Sequence, residues 1–323
     1  MSHSQGAQGA CTDERVAVLG AGIMGRGIAQ LFAGAGAHVS LVDSTPEMAH
    51  AGRERIAADL RRAAARAPRT GVDAPAADAT ASAASAADAA AERIERAEQV
   101  ITRIHVAGLA DAVATATAVI EAVPEVLDLK RDLLADVVKE APEDTLLATN
   151  TSALPITSIA AALPQPERLV GLHFFNPVHR MRLVEVIAGL ASAEENVQRA
   201  RDLCERAGKT TVRVVDRPGF VASRINVLIG NEAFRMLTEG VASADEIDIA
   251  LTHGLNHPMG PFELIDLVGL DTRLSVLRSL HASLGDRFRP DPTHVSLVEA
   301  GRLGRKTGRG VYTYDETGRR VTS

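Results

Sequence analysis

The stretch that decides the fold is Arg15-Val16-Ala17-Val18-Leu19-Gly20-Ala21-Gly22-Ile23-Met24-Gly25. Its first five residues form a short apolar run rich in β-branched side chains, which predicts a buried parallel strand. The pattern G-x-G-x-x-G begins at Gly20, and apolar residues on helical spacing continue from Ile23 to Ala35. A second short run, His38 to Val42, ends at Asp43. Together these segments predict a strand–helix–strand unit of the Rossmann type, which binds dinucleotides.

The glycines of this loop have distinct physical roles in the prediction. Gly20 makes the tight turn, Gly22 lets the backbone approach a pyrophosphate, and Gly25 lets the helix pack close to the strand. The predicted cofactor-binding loop consists of Gly20, Ala21, Gly22, Ile23, Met24 and Gly25. Asp43 accepts hydrogen bonds from the ribose, and its charge disfavours the extra phosphate of NADP, so the expected cofactor is NAD. The alternative is a glycine-rich turn of another α/β protein followed by a chance acidic residue.

The bulk composition limits the classes of protein that fit. The 323 residues suffice for two domains, and 46% hydrophobic with 24% charged residues is typical of a globular protein rather than a disordered or membrane one. A net charge of -6 argues against nucleic-acid binding. The two cysteines, Cys11 and Cys204, are too few and too distant for a disulfide framework or metal cluster. We therefore expect a cytoplasmic protein without a metal, with residues 1–13 as a flexible tail.

The segment from about residue 46 to 106 is rich in alanine and arginine and predicts a helical arm. Its two helices are expected to break near Ala67–Gly71, where proline and glycine occur. The part from Ala74 to Ala91 is nearly all Ala, Ser, Asp and Thr, so a flexible insert that buries little is an equal alternative there.

Further strands alternate with helical or loop sequence along the rest of the first domain. The runs that predict them are Ala118–Glu121, Thr145–Thr149, Leu169–His173, Leu183–Ile187 and Thr211–Val215. Turn residues at Asp216-Arg217-Pro218-Gly219 mark a boundary, which gives a domain at 14–216 and a second at 217–323.

Beyond Phe220 the sequence has helical spacing, so we expect an all-helical carboxy-terminal domain. Its first helix is expected to bury one apolar face formed by Ile225, Leu228, Ile229 and Ala233. A short strand is expected at Val311–Tyr314.

A histidine and a glutamate are the candidate acid/base pair. His173 ends one predicted strand, and Glu185 follows twelve residues later in the middle of the next. On neighbouring strands, the histidine would exchange a proton with a substrate hydroxyl, and the glutamate would orient the ring and stabilise its charged form. A histidine at a strand end is more often structural than catalytic, so the pair alone leaves both interpretations open.

Further motifs in order along the chain carry a family resemblance. They are Asn150-Thr151-Ser152, His173-Phe174-Phe175-Asn176-Pro177, Pro218-Gly219-Phe220, His257-Pro258-Met259-Gly260-Pro261-Phe262-Glu263 and Lys306-Thr307-Gly308. With the glycine loop, they make the chain resemble the 3-hydroxyacyl-CoA dehydrogenase family. The resemblance implies an NAD-binding α/β domain with a helical arm and a helical second domain that dimerises, with a thioester site in the cleft between the domains.

The same resemblance assigns roles to individual residues. His173 becomes the general acid/base and Glu185 its partner, while Ser152 contacts the reacting substrate oxygen or the nicotinamide region. Polar residues expected to line the cofactor site are Glu125, Lys130, Asn176 and Lys306, and Asn176 is also expected to contact the substrate. A helix N-cap role for Ser152 is compatible with this contact, and a solvated surface position is the default for Lys306.

The chain departs from the family pattern in two places. Ser223 stands where the family most often has an asparagine, and we expect it to keep a shorter substrate contact. On the arm, Asp59 and Arg66 match the polar and basic residues expected to bind the CoA nucleotide, with an aspartate unfavourable beside phosphate. Neighbouring arginines able to supply positive charge are Arg61, Arg62 and Arg69. A solvated basic helix face is the equal alternative for them.

The leading function is NAD-dependent oxidation of a short-chain (S)-3-hydroxyacyl-CoA, for example 3-hydroxybutyryl-CoA, or the reverse reaction. One alternative places the hydroxyacyl group on an acyl carrier protein. Another is a relative that oxidises a free sugar acid such as gulonate. A fourth hypothesis is a non-catalytic NAD-binding sensor or structural protein, which the presence of both His173 and Glu185 disfavours.

Overall fold

A computed structural model describes residues 11–66 and 83–321 of the chain. The chain separates into two compact units, Met1–Asp216 and Arg217–Ser323. The first unit is an α/β structure and the second is helical, as the sequence predicts. The break predicted at Ala67–Gly71 and the first part of the Ala74–Ala91 segment lie outside the described residues.

The first unit is built on one sheet, which has eight strands within the described residues. The strands are β1 (Arg15–Leu19), β2 (His38–Val42), β3 (Ile104–Val106), β4 (Ala118–Glu121), β5 (Leu146–Thr149), β6 (Leu169–Phe174), β7 (Leu183–Ala188) and β8 (Thr210–Val215). Their order is β3-β2-β1-β4-β5-β6-β7-β8. Neighbouring strands are parallel except β6 and β7, which are antiparallel.

Helices connect these strands and cover the sheet. They are α1 (Ile23–Gly34), α2 (Pro46–Ala65), α3 (Ala83–Thr102), α4 (Leu109–Val113), α5 (Leu127–Glu140), α6 (Ile156–Ala160) and α7 (Glu194–Arg206). Apolar faces of α1 and α7 join the buried strand residues in one core, which explains why the central strands are apolar throughout.

The helical arm consists of α2 and α3. Thr45 caps α2 by accepting a hydrogen bond from the Met48 N–H, and Pro46 occupies the first turn of that helix. Arg61 on α2 donates two hydrogen bonds to the Glu98 carboxylate on α3, at 2.6 and 2.9 Å. The expectation of helix through residue 106 is wrong at its end, because Ile104–Val106 pairs with β2 as strand β3.

The second unit contains helices joined by short turns. They are α8 (Ala222–Thr238), α9 (Ala244–Ile249), α10 (Pro261–Val268), α11 (Leu270–Leu284) and α12 (Pro292–Glu299), with a π-helical turn at Ala250–Gly254. The buried face of α8 agrees with the predicted one at Ala233, which is fully buried, and differs from it elsewhere. Val227, Gly230 and Phe234 are buried on it, whereas Ile225 is 54% exposed.

The predicted strand at Val311–Tyr314 does not form, and Thr313 and Tyr314 make isolated bridges instead. The reason is a buried carboxylate: Asp266 accepts the backbone N–H groups of Val311 and Tyr312 at 2.9 Å each. Since these donors bind a side chain rather than a neighbouring strand, no ladder extends along the segment.

Among the described residues, no helix combines the length and the apolar character that crossing a membrane requires.

Candidate active site

The glycine loop joins β1 to α1 and has the geometry of an anion-binding turn. Gly20 has φ of 104°, and a side chain there would lie 2.7 Å from the Ala122 carbonyl oxygen. A Cβ on Gly25 would lie 1.7 Å from the Gly20 carbonyl oxygen, so only glycine fits at that position. Gly22 faces open space instead, and a Cβ added there would meet no atom of the protein within 4 Å. The turn is therefore closed on its protein side and open where a pyrophosphate would approach.

The first turn of α1 fits a bound phosphate as well. Gly22 occupies the N-cap position without a side-chain cap, and the first turn has no acidic residue. Unpaired N–H groups and the helix dipole at such a terminus favour an anion. Residues of this chain thus fit the pyrophosphate of a dinucleotide.

Asp43 lies directly after β2 and is held against the same loop. Its Oδ2 accepts the Ala21 N–H at 2.7 Å, and its Oδ1 accepts the Ser44 N–H at 2.7 Å. A carboxylate accepts about four hydrogen bonds, so acceptor capacity remains for a ribose hydroxyl. Asp43 thus lies beside the phosphate loop, as the sequence predicts.

Glu125 and Ser152 meet at the carboxyl ends of β4 and β5. Glu125 Oε1 accepts hydrogen bonds from the Thr151 hydroxyl at 2.5 Å and from the N–H groups of Ser152 and Ala153 at 3.0 and 3.1 Å. The carboxylate therefore fixes the loop after β5 and leaves the exposed Ser152 side chain on its surface. Ligands of open α/β sheets bind at this edge.

His173 and Glu185 face each other across β6 and β7. They are register partners in the antiparallel pair, and His173 Nδ1 lies 2.6 Å from Glu185 Oε2. The Glu185 side chain is fully buried and the histidine side chain is 8% exposed. Because a carboxylate accepts but does not donate, Nδ1 carries the shared proton, and Nε2 is the nitrogen able to exchange one with a ligand.

Asn176 follows β6 and borders a cavity of about 410 Å³ within the first unit. The cavity lies between α1, α2 and the segment from Asn176 to Arg180. Four arginines line it: Arg26, Arg62, Arg66 and Arg180. Arg62 donates to Asp59, whose negative charge is thereby compensated, while Arg66 is exposed to the cavity.

Lys130, which the sequence predicts to line the cofactor site, is a buried side chain. It lies on α5 with 0% exposure, and its ammonium donates to Glu121 Oε1 at 2.7 Å. Glu121 was not among the predicted site residues. The sequence does contain a sign of its burial, because a glutamate that ends the apolar run Ala118–Glu121 is unusual. Direct contact between Lys130 and the cofactor stays a prediction.

Ser223 and Lys306 belong to the second unit. Ser223 is half-buried in the first turn of α8, after the turn formed by Gly219 and Phe220, which have φ values of 75° and 49°. Lys306 lies in a short 3-10 turn and donates to both oxygens of the Asp271 carboxylate at 2.6 Å. Their predicted contacts with substrate and cofactor remain predictions.

A phosphate loop, an acidic residue after β2 and a histidine–carboxylate pair at the same sheet edge define the class as a dinucleotide-dependent oxidoreductase. The chain matches the NAD-binding domain of 3-hydroxyacyl-CoA dehydrogenase at residues 15–217 and the carboxy-terminal domain of that enzyme at residues 219–314. The protein therefore belongs to the 3-hydroxyacyl-CoA dehydrogenase family. It is an NAD-dependent oxidoreductase, and the family resemblance seen in the sequence is confirmed.

Individual relatives agree with this assignment. A probable 3-hydroxybutyryl-CoA dehydrogenase of Bacillus subtilis is 42% identical over 304 residues, covering 94% of this chain and 98% of the relative. The 3-hydroxyadipyl-CoA dehydrogenase of Escherichia coli is 39% identical over 93% of this chain and 59% of the relative. A crystal structure of (S)-3-hydroxybutyryl-CoA dehydrogenase from Ralstonia eutropha is similar with a TM-score of 0.82 and 36% identity, covering 94% of this chain and all of that one.

Proposed function

We propose that this protein interconverts a short-chain (S)-3-hydroxyacyl-CoA, such as 3-hydroxybutyryl-CoA, and the corresponding 3-oxoacyl-CoA, with His173 and Glu185 as its acid/base pair. The observation that carries the proposal is the 2.6 Å contact between His173 Nδ1 and the buried Glu185 carboxylate, at the sheet edge that also holds the dinucleotide loop. The names of the relatives supply the substrate class.

The roles of the residues follow from the chemistry of alcohol oxidation, for which bound NAD supplies the hydride acceptor. His173 Nε2 takes the hydroxyl proton as the hydride leaves C3 of the substrate, and Glu185 stabilises the resulting positive charge on the ring. Ser152 donates a hydrogen bond to the reacting oxygen. In the reverse direction, the protonated His173 returns its proton to that oxygen.

The cationic cavity supports a CoA thioester over a carrier-protein thioester. Arg66, with Arg26 and Arg180 beside it, offers positive charge for the phosphates of the CoA nucleotide, which a carrier-protein thioester lacks. Arg66→Gln is expected to raise KM for acetoacetyl-CoA while leaving KM for acetoacetyl-pantetheine unchanged. An equal rise in KM for both thioesters would mean that the CoA nucleotide does not bind at Arg66.

NADH-dependent reduction of acetoacetyl-CoA is the test of the whole proposal, run beside NADPH, free acetoacetate and an acetoacetyl-carrier protein. We expect turnover with NADH and the CoA thioester. Turnover with the carrier protein alone would favour the biosynthetic alternative, and turnover with a free hydroxy acid such as gulonate would favour the sugar-acid alternative. His173→Ala is expected to abolish turnover with NAD binding intact; absence of turnover on every substrate would favour a non-catalytic sensor.

A homodimer and a cytoplasmic location are further parts of the proposal. In the second unit, apolar side chains lie exposed near the Pro258–Glu263 segment: Ile249, Leu255, Leu267 and Val268. Burial of such a patch against a second copy would stabilise a dimer. Light scattering tests this, and a monomeric mass at micromolar concentration would contradict it. The free, buried thiols of Cys11 and Cys204 fit a reducing compartment.

A further inference from the structure

Lys209 carries a buried ammonium that binds the connection between β6 and β7. The residue lies between α7 and β8 and is 9% exposed. Its ammonium donates to the carbonyl oxygens of Val178 and Met181, the latter at 2.8 Å. Both acceptors belong to the segment that follows the strand of His173, so one side chain holds this segment at two points.

A charge at this position has a cost in stability. Burial lowers the pKa of Lys209, because removing an ammonium from water disfavours its charged form. Among the described residues, no carboxylate forms an ion pair with this ammonium to offset that cost. The two carbonyl groups that it binds indicate what the charge does: it fixes the turn that they belong to.

The same turn is packed against α1. Val178 is buried, and a Cβ added to Gly27 of α1 would lie only 2.8 Å from Val178 Cγ2. The Arg180 N–H donates to the Pro177 carbonyl oxygen at 2.9 Å, which closes the turn. Contacts from α1 and from Lys209 thus fix the turn on its inner side, while His179 and Arg180 are exposed on its outer side.

The exposed residues of the turn border the cationic cavity. His179 and Arg180 line it opposite Arg62 and Arg66 of α2. The charge of Lys209 is also felt there, since it lowers the pKa of His179, after the larger effects of burial and of Arg180. Binding costs less conformational entropy when the backbone that carries a contact residue is already fixed. A fixed turn therefore makes Arg180 a better ligand for a phosphate.

We infer that Lys209 is a positioning residue for binding of the CoA phosphates and that it acts through Arg180. Its ammonium holds the backbone of the turn, and the turn presents the Arg180 guanidinium to the cavity. This inference rests on the proposed function, in which the cavity binds the CoA nucleotide. The contact between His173 and Glu185 does not depend on Lys209, because the pairing of β6 with β7 sets it directly.

A double-mutant cycle tests whether Lys209 acts through Arg180. Lys209→Met removes the charge and both hydrogen bonds at nearly constant side-chain length, and Arg180→Gln removes the guanidinium from the turn. Each variant is expected to raise the Kd for CoA about 10-fold in isothermal titration calorimetry, the loss expected for one hydrogen bond to a charged group. The double variant is expected to bind CoA no more weakly than the weaker single variant, whereas additive losses would overturn the inference.

Thioester kinetics distinguish positioning from a general loss of structure. In Lys209→Met, KM for acetoacetyl-CoA is expected to rise about 10-fold, while KM for acetoacetyl-pantetheine, KM for NADH and kcat stay at wild-type values. Arg182→Gln is the matched control, because this exposed arginine lies on the same connection and outside the residues that line the cavity, and it should behave as wild type. An equal rise in KM for both thioesters, or a fall in kcat, would show a structural effect and overturn the inference.

Hydrogen exchange measures the turn without substrate. The peptide that covers residues 177–182 is expected to exchange faster in Lys209→Met, and Arg180→Gln should exchange like wild type. If urea unfolding shows that Lys209→Met does not fold, Lys209→Gln, which keeps an N–H donor without the charge, takes its place. Unchanged exchange would overturn the inference. A wild-type enzyme that binds no CoA would refute the proposed substrate, whereas a wild type that binds CoA and a Lys209 variant with the same Kd would refute the inference alone.

Discussion

The hydrogen bond between His173 and Glu185 gives the sharpest test of the proposed acid/base pair. Glu185→Gln preserves the size of a fully buried side chain and removes its charge. A hydrogen bond to a charged group contributes about 1.5–3 kcal/mol. During oxidation the ring becomes positively charged, so the carboxylate stabilises the transition state more than the ground state. Since about 1.36 kcal/mol corresponds to a tenfold change in rate, kcat should fall about 10- to 150-fold.

Tautomer selection acts in the same direction. A glutamine amide can donate to Nδ1, which moves the ring proton to Nε2 and blocks that nitrogen as a base. The measurement is the initial rate of NADH formation from 3-hydroxybutyryl-CoA, with KM for NAD expected to stay unchanged. Glu194→Gln, in an exposed ion pair with Arg213, is the matched control and should behave as wild type. A folded Glu185→Gln enzyme with wild-type kcat would refute the reasoning.

Other predictions test the cofactor loop and a buried lysine. Gly22→Ala should weaken NADH binding, followed by cofactor fluorescence, without lowering the unfolding midpoint. Gly25→Ala should lower the midpoint, because its methyl group meets the Gly20 carbonyl; equal behaviour of the two variants would contradict this. Asp43→Ser should raise the rate with NADPH relative to NADH, and an unchanged ratio would argue against its ribose contact. Burial lowers the pKa of Lys209, whose ammonium donates to backbone carbonyls. The lysine ammonium therefore holds its proton more tightly in the unfolded chain than in the folded protein. The free energy of unfolding should rise with pH between the lowered and the ordinary pKa of Lys209, and urea unfolding of Lys209→Met should lack that rise.

The sheet was predictable because its strands leave a local signal. Apolar runs such as Arg15–Leu19 and Ala118–Glu121 end at turn residues, and both form strands with the predicted bounds. β3 left no such signal. Its three residues, Ile104–Val106, follow directly on the pattern of α3, and a run of that length does not distinguish a strand from a helix end.

The candidate site was predictable where motifs are continuous and less so where contacts join distant segments. The loop at Gly20–Gly25 and the position of Asp43 follow from local spacing. The burial of Lys130 does not follow from local spacing, because lysine is ordinarily a surface residue and its acceptors belong to Glu121 and Asn150. The face of α8 was predicted correctly at Ala233 and wrongly at Ile225 for a related reason. Helical spacing shows that a helix is amphipathic, while neighbouring helices decide which residues become buried.

The antiparallel strand β7 explains how a buried carboxylate can serve a histidine at an open sheet edge. In a fully parallel sheet, a partner for His173 would come from another strand end, where side chains meet solvent. Because β7 runs against β6, the middle of β7 pairs with the end of β6, and Glu185 is placed opposite His173. On its other side β7 pairs with β8, where Glu185 is the register partner of Val212. Strands on both sides keep this carboxylate out of water, and its interaction with the ring is correspondingly stronger. Reversing one strand thus supplies the protected acceptor that the proposed proton transfer needs.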